Sequence, residues 1–511
     1  MHHRPTLPIE SIPSWAHLNN VSFHHVKITE IDGRGYGVVC DGDVAAAEEP
    51  GRHVVDTDDD NDGTAAAAPA PSLLTVPHGL VLNAAAVDEY AKEDKNFRQL
   101  LDAIGHRSTR ADVLLFLLVQ AALASRSSHS SVGVSNPWTE YLQFLPQTVP
   151  VPTLWTEDER LLLRGTSLEA ALNAKLSALD AEFGLIQEKS SDFPTWNELL
   201  WEGQGAISFA DWIRLDALYR SRCLELPRSG EAMVPCLDMA NHSATPNAYY
   251  DENRQDEVVL LPRPGVRLSP GDEVTISYGE TKSAAEMLFS YGFIDLDATT
   301  GEGLVLPLNP FSDDPLAKAK LVAFGAPPRI HVARDRNSGT ATAPAAASII
   351  RWSSPFAYLM CVNEEDGLEF RVLQERDGAR QLCVFWRDED VTNRTQDFET
   401  LIKDHPLAAV LRLRVVVAVQ EALGAQLERI RQTAPQDPNT PSSTQREECF
   451  RQAMALRAIE TNLLEQAIES LEEEKRTLLA DQNVVAYLGL TEATGSDLAG
   501  EEAANEAEDF S

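Results

Sequence analysis

The sequence contains few cysteines, and their spacing excludes the common metal and disulfide frameworks. Six cysteines occur among 511 residues, and no two of them form a CxxC pair. This spacing argues against a zinc cluster and favours a reducing compartment. The first residues, MHHRPTLPIE, also lack the long apolar core of a signal peptide. We therefore expect a protein of the cytoplasm, the nucleus or both.

Long apolar runs and basic patches are also missing. The most apolar stretch, 113–119, is too short to cross a bilayer and predicts a buried helix. The net charge is −36, and acidic runs stand at 56–62 and 501–510. Such a chain repels nucleic acid, so we expect neither a nucleic-acid nor a membrane partner. It attracts a basic protein segment, although acidic runs are also often no more than solvated surface.

The apolar pattern divides the chain into strand-like and helical regions. Residues 24–40 and 232–278 alternate as strands do, whereas 96–220 and the region after 400 show helical spacing. This order places a long helical insertion inside a strand-rich domain, and we predict an α+β protein. The predicted segments are a first strand-rich part at 1–95 with a disordered insertion at 41–71, an inserted helical region at 96–220, a second strand-rich part at 221–300, an all-α domain at 310–490 and an acidic disordered tail at 491–511.

The first segment with candidate chemistry is GRGYGV at 33–38. Its alternate glycines allow a backbone to approach a ligand closely. No helix pattern follows, and no acidic residue stands about twenty positions on in a βαβ unit, so a dinucleotide-binding fold is disfavoured. A tight hairpin turn is the alternative interpretation.

The second segment is LDMANHSATPN at 237–247. Asp238 and His242 have the spacing of two ligands on one helix face, but a third ligand is missing nearby, so we expect no metal. Its NHS sequence is a glycosylation acceptor only in a secreted chain. A polar turn that caps a buried strand is the main alternative to a binding site.

The third candidate is a pair of tyrosines, in ISYG at 276–279 and SYGF at 290–293. Tyrosines at the two ends of a loop and short helix can converge on one small pocket. Taken alone, such tyrosines are more often half-buried core residues whose hydroxyl reaches the surface.

Taken together, MVPCLDMANH, GDEVTISYG and LFSYGFI resemble the SET-domain methyltransferases in their order and spacing. They look most like the subfamily of the Rubisco large-subunit methyltransferase and the fungal ribosomal-protein lysine methyltransferases. NPWTEYLQFLP, LWTEDERLLLRGTSL and YRSRCLE are similar to that subfamily's inserted helical region and its edge. The resemblance implies a SET domain split between 1–95 and 221–300, followed by a helical substrate-binding domain.

By this resemblance, Tyr291 is the catalytic tyrosine, and its hydroxyl orients the methyl group and the incoming amine. It also contacts the cofactor, S-adenosylmethionine. Tyr278 is the second catalytic residue and shapes the lysine channel from the other side.

The resemblance also implies the residues that bind the cofactor. Asn241 and His242 hold it, Arg222 reaches its carboxylate, and the backbones of Arg34 and Tyr36 contact it. Some relatives carry Glu where this chain has Arg34. A backbone contact survives that change, whereas a side-chain contact does not.

The activity implied is transfer of a methyl group to a lysine of a non-histone protein, which family analogy identifies as a ribosomal protein or a translation factor. A histidine acceptor is an alternative, since nothing in these residues separates the two. The alternative from another class is a non-catalytic scaffold with the SET fold. The joint presence of Asn241, His242, Tyr278 and Tyr291 counts against it. We expect a monomer whose partner is a lysine-bearing, basic protein.

Overall fold

The structure, a computed structural model, describes residues 5–45, 72–125, 133–202, 205–279, 281–295, 303–335, 349–374, 380–438 and 440–489. These residues form two compact units. The first comprises the described parts of Met1–Thr156, Ala170–Lys282 and Glu286–Thr300, and the second those of Glu157–Glu169, Ser283–Ala285 and Gly301–Ser511. The predicted tail at 491–511 lies outside the described residues. None of the described helices is both long and apolar enough to cross a membrane.

The strands of the first unit are short and mostly rich in aliphatic residues. Their bounds are β1 Ser22–Phe23, β2 Val26–Ile31, β3 Gly35–Cys40, β4 Val44–Ala45, β5 Leu74–Val76, β6 Cys223–Leu226, β7 Gly230–Met233, β8 Asn241–His242, β9 Ala248–Glu252, β10 Val258–Pro262, β11 Arg267–Leu268 and β12 Glu273–Ile276.

Two four-stranded sheets, in the orders β1-β5-β10-β9 and β2-β3-β12-β8, organise most of these strands. The strands β3 and β5 precede the long helical region, whereas β10 and β12 follow it. Both sheets therefore join the two halves of the strand-rich sequence, as the alternating pattern predicted. Within the second sheet, β8 is parallel to β12, while β12 is antiparallel to β3.

The structure corrects the start of the predicted disordered insertion at 41–71. Residues 44–45 form strand β4, which pairs with β11. Val44 is buried, and this burial explains why the ordered structure continues past Cys40. The rest of the predicted insertion, from 46 to 71, lies outside the described residues.

Helices occupy the region between the two halves of the strand-rich sequence. From the N-terminus to residue 291 the helices are α1 Ile12–Leu18, α2 Ala84–Glu93, α3 Lys95–Ile104, α4 Thr109–Ala124, α5 Pro137–Tyr141, α6 Glu157–Arg160, α7 Leu168–Ser191, α8 Pro194–Trp201, α9 Phe209–Arg222 and α10 Ala284–Tyr291. Of these, α6 belongs to the second unit. Helix α9 begins after a capping box formed by Ser208 and Asp211. It ends directly before β6, so its last turn carries Arg220 and Arg222.

The α+β class is confirmed, but the expectation of an all-α second domain needs correction. The second unit also contains two three-stranded antiparallel sheets, β13-β14-β15 and β16-β17-β18. Their strands are β13 Gly303–Pro307, β14 Arg329–Asp335, β15 Ile349–Ser353, β16 Leu368–Gln374, β17 Arg380–Trp386 and β18 Glu389–Asp390. The low-complexity stretch at 338–348 falls between β14 and its partner β15, and this separation hides the pairing in the sequence.

The helical spacing after residue 400 corresponds to two long helices, α14 Ala408–Gln432 and α15 Glu447–Leu479. The other helices from residue 317 onward are α11 Ala317–Phe324, α12 Pro355–Met360 and α13 Phe398–Leu401. Apolar residues of α15 at helical spacing are buried: Leu456, Leu463, Ala467 and Leu471. This burial agrees with the helical spacing in the sequence.

Candidate functional site

A cavity of about 540 Å³ lies in the first unit, next to the predicted tyrosines. Its volume is in the range of small-molecule sites in proteins. Three of the residues predicted from the sequence line it: Arg222, Tyr278 and Tyr291. Its walls also include Cys223, Glu225, Glu231, Asp238, Tyr250 and Lys282.

The two predicted tyrosines lie against each other in this cavity. Their ring centroids are 4.5 Å apart, at an interplanar angle of 32°. The Tyr291 hydroxyl donates to the Tyr278 carbonyl (3.2 Å), and the Tyr278 hydroxyl donates to the Ala240 carbonyl (2.9 Å). Burial raises the pKa of Tyr278 to about 12 and also raises the pKa of Tyr291. Both side chains are therefore neutral hydroxyls at physiological pH, able to donate hydrogen bonds.

His242 supports the backbone of Tyr278. The Tyr278 amide donates to Nδ1 of His242 at 3.1 Å, which requires a lone pair on that nitrogen. Burial lowers the pKa of His242, so the neutral imidazole is favoured. The side chain of His242 thus fixes the backbone of Tyr278 and, through it, the shape of the site.

The side chain of Arg34 links strand β8, which carries His242, to strand β12, which carries Glu273. Its guanidinium donates to the His242 carbonyl and to the Glu273 carboxylate, each at 2.6 Å. The prediction for Arg34 was a backbone contact with a cofactor. Its side chain is engaged within the protein and holds β8 in place.

Asn241 belongs to the same network. Its side-chain amide donates to the Glu273 carboxylate at 2.8 Å and to the Tyr36 carbonyl at 3.3 Å. A Cβ at Gly37 would stand 2.9 Å from that amide nitrogen, so the glycine leaves the space that Asn241 occupies. The last glycine of GRGYGV therefore has a packing role, and the segment also forms the hairpin of β2 and β3.

Arg222 connects helix α9 to the turn that contains Asp238. Its Nη1 donates to the Asp238 carbonyl at 2.7 Å and lies 3.5 Å from the Asp238 carboxylate. The Tyr141 hydroxyl donates to that carboxylate and accepts from the Cys236 amide at 2.7 Å. Burial raises the pKa of Asp238, and the carboxylate is held inside the turn.

Tyr250 also lines the cavity, although none of the three sequence motifs contains it. Side chains alternate along β9, so Tyr249 faces outward, at 37% exposure, while Tyr250 lines the cavity. Burial raises the pKa of Tyr250. The alternation in AYYDE was the available signal, because it separates one inward tyrosine from one outward tyrosine.

Arg220 anchors the helix that carries Tyr291. Its guanidinium donates to the Phe289 carbonyl, to Thr153 Oγ1 (2.8 Å) and to the buried Asp216 carboxylate (2.8 Å). The guanidinium also lies over the Phe289 ring, 4.5 Å from its centroid. These contacts fix the end of α10 against α9 and thereby place Tyr291.

The lining of the cavity fits the amino-acid end of S-adenosylmethionine. The Nε of Arg222 is buried and has no hydrogen-bond partner among the described residues. A buried donor of this kind is costly unless an acceptor meets it, and a guanidinium is well suited to a carboxylate. The predicted residues Arg34, Tyr36, Asn241 and His242 lie together beside Tyr278 but are not among the residues that line the cavity.

Comparison with known proteins identifies relatives of this chain. No family model matches it. SET domain-containing protein 8 of Schizosaccharomyces pombe is 28% identical over 364 residues, which are 70% of this chain and 76% of that protein. A ribosomal lysine N-methyltransferase of the same yeast is 24% identical over 185 residues, 35% of this chain and 30% of that protein.

A solved structure of Rubisco LSMT bound to AdoMet is similar over almost the whole chain. The TM-score is 0.63 at 19% identity, and the match covers 92% of this chain and 93% of that one. A likeness at this identity shows that the two chains share a fold.

Proposed function

We propose that this chain, a SET-domain protein-lysine methyltransferase that uses S-adenosylmethionine, acts on a ribosomal protein or a translation factor and not on a histone. The family resemblance predicted from the three motifs is confirmed by the relatives and by the shared fold. The name of the yeast ribosomal lysine N-methyltransferase supports a ribosomal substrate. The net charge of −36 supports a basic one, since opposite charge favours encounter.

The observation that supports methyl transfer to a lysine is the pair of neutral tyrosines in one cavity with Arg222. Methyl transfer to an amine needs a nitrogen lone pair in line with the methyl carbon and its leaving sulfur. A free lysine is protonated at neutral pH, because its ordinary pKa is about 10.4. Partial burial among neutral hydroxyls disfavours the ammonium form, and no carboxylate is required as a base.

Each residue of the site then has a proposed role. When bound, S-adenosylmethionine supplies a methyl group made electrophilic by its positive sulfur. The Tyr291 hydroxyl orients the amine, and Tyr278 forms the opposite wall of the lysine channel. Arg222 binds the carboxylate of the cofactor. Asn241 and His242 shape the backbone at the edge of the cofactor site.

Three further properties remain predictions. They are backbone contacts from Arg34 and Tyr36 to the cofactor, a monomeric state, and a cytoplasmic or nuclear location. The six cysteines are free thiols, and this state supports a reducing compartment.

A labelling experiment tests the proposed substrate. The purified chain is incubated with labelled S-adenosylmethionine and, in parallel, with an extracted ribosomal-protein fraction and a histone fraction. We expect label on a lysine of the ribosomal fraction, located by mass spectrometry, and none on histones. Labelled histones, label confined to histidine, or an unlabelled ribosomal fraction would contradict the proposal. The Tyr291→Phe variant is the control for contaminating activity.

A further inference from the structure

Lys282 brings a positive charge to the wall of the cavity. Its Nζ lies over the face of the Tyr291 ring, 5.9 Å from the centroid. The side chain is half-buried and forms no ion pair with any described residue. Among the described residues, this charge therefore contacts an aromatic ring and is not neutralised by a carboxylate.

The backbone at Gly279 leaves room for this lysine. Gly279 has φ +135°, a conformation that only glycine adopts readily. A Cβ at this position would stand 3.1 Å from Nζ and 3.2 Å from Cγ of Lys282. The lysine side chain thus folds back over the glycine, towards the tyrosine pair.

The other charged groups that the described residues place around the cavity are paired or exposed. Asp238 lies 3.5 Å from Arg222, and Arg220 is paired with the buried Asp216. Glu225 and Glu231 face each other across β6 and β7 and are exposed, as is Glu286 on α10, so solvent screens them. The remaining titratable groups of the lining are kept neutral at physiological pH by burial, which raises their pKa values: Cys223, Tyr250, Tyr278 and Tyr291.

We propose that the Lys282 ammonium disfavours the protonated form of a substrate lysine in this cavity, and that it thereby promotes methyl transfer at neutral pH. The inference rests on the proposed lysine methylation. Two positive charges in one partly desolvated cavity repel each other, and the substrate relieves this repulsion by losing its proton to solvent. Lys282 is a positioning residue, since it acts on the charge state of the substrate and not on the reacting atoms.

The test is the pH dependence of the rate at saturating cofactor and acceptor, because this profile reports groups in the bound complex. The acceptor is the ribosomal-protein fraction, and the variants are Lys282→Met and Lys282→Arg. We expect Lys282→Met to raise the pH of half-maximal rate by about one, which lowers the rate at pH 7.5 about tenfold and restores it near pH 10. Lys282→Arg keeps the charge and the wild-type profile.

The exposed Lys92, which pairs with Glu89 at 2.5 Å on α2, supplies the control for loss of one charge elsewhere. Lys92→Met leaves the profile unchanged. An equal loss of rate at every pH in Lys282→Met, or no change at all, would overturn the inference. A wild-type chain that labels nothing in the fraction would instead overturn the proposed function.

Discussion

The two sides of the candidate site differ in how their side chains are used. On the cavity side, Tyr291 and the Nε of Arg222 face space that a ligand can fill. On the sheet side, the Glu273 carboxylate accepts hydrogen bonds from Arg34 and Asn241. Both of these side chains also donate to backbone carbonyls. The side chains that can contact a ligand are therefore different from the side chains that fix the shape of the site. We expect changes at Tyr291 to affect the rate, and changes on the sheet side to affect how tightly the cofactor is held.

The largest expected effect comes from Arg220, which anchors the cavity side. Arg220→Met removes one of three cations from the buried Asp216, which Arg110 and Lys175 also contact. Loss of a partner from a buried charge network costs about 3 kcal/mol. We expect the free energy of unfolding to fall by that amount in urea denaturation, and turnover to fall as Tyr291 loses its fixed position.

The matched control is Arg98 of the same unit, which is 57% exposed and lies 3.9 Å from the equally exposed Asp102 on α3. An exposed pair contributes about 1 kcal/mol or less, so Arg98→Met has a small effect. Equal stabilities of the two variants would show that the Asp216 network does not anchor this side.

The next effect is on the sheet side. Glu273→Gln weakens the charged hydrogen bonds to Arg34 and Asn241. Because bonds to charged groups contribute about 1.5 kcal/mol or more, we expect the Kd for S-adenosylmethionine to rise about tenfold, while kcat at saturating cofactor changes less than about twofold. Calorimetry and initial rates measure the two quantities. Glu89→Gln, at an exposed carboxylate on α2, is the control for cofactor affinity. A fall in kcat at unchanged Kd would reverse the assignment of the two sides.

The smallest effect concerns His242, where the two sides meet. Burial lowers its pKa below the ordinary 6.5, so the unfolded chain takes up a proton first as the pH falls. The stability that neutral His242 contributes is therefore lost as the pH falls below about 6.5. The unfolding constant then rises by at most about tenfold per pH unit. His242→Asn keeps an acceptor for the Tyr278 amide and is expected to remove this dependence in urea titrations between pH 5 and 7.

His106 gives a control of opposite sign. A hydrogen bond to Asp112 raises its pKa, so its contribution is present below about pH 6.5 and disappears as the pH rises through the folded pKa. His106→Asn should change the pH dependence in the opposite direction. The same change in both variants would mean that burial of His242 is not the cause.

Much of the site could be predicted because its residues stand in short, ordered motifs. The order of ISYG and SYGF allowed their tyrosines to converge on one pocket, and the structure places the two ring centroids 4.5 Å apart. Tyr250 and Lys282 were missed because each is a single residue whose role depends on what folding brings beside it. The link between Arg220 and Phe289 also depends on tertiary structure, since it joins α9 to a helix far along the chain.

The fold, like the site, could be predicted only where the pattern lies within short segments of the sequence. Alternation predicted the strands around Gly35 and Val274, and their pairing across the long insertion followed from the order of the segments. The sheets of the second unit were not predicted. Strand β14 ends at Asp335 and its partner begins at Ile349, and the apolar stripes of α14 and α15 dominate the pattern of that region.

The most direct test of the central claim compares Tyr291→Phe with the wild-type chain. The change removes only the hydroxyl, which donates to the Tyr278 carbonyl at 3.2 Å. The outward-facing Tyr249→Phe is the matched control. We predict that Tyr291→Phe binds S-adenosylmethionine within about threefold of wild type by calorimetry, while transfer to lysine falls by at least about tenfold. A variant that turns over as fast as wild type would contradict the assignment of Tyr291 as the catalytic tyrosine.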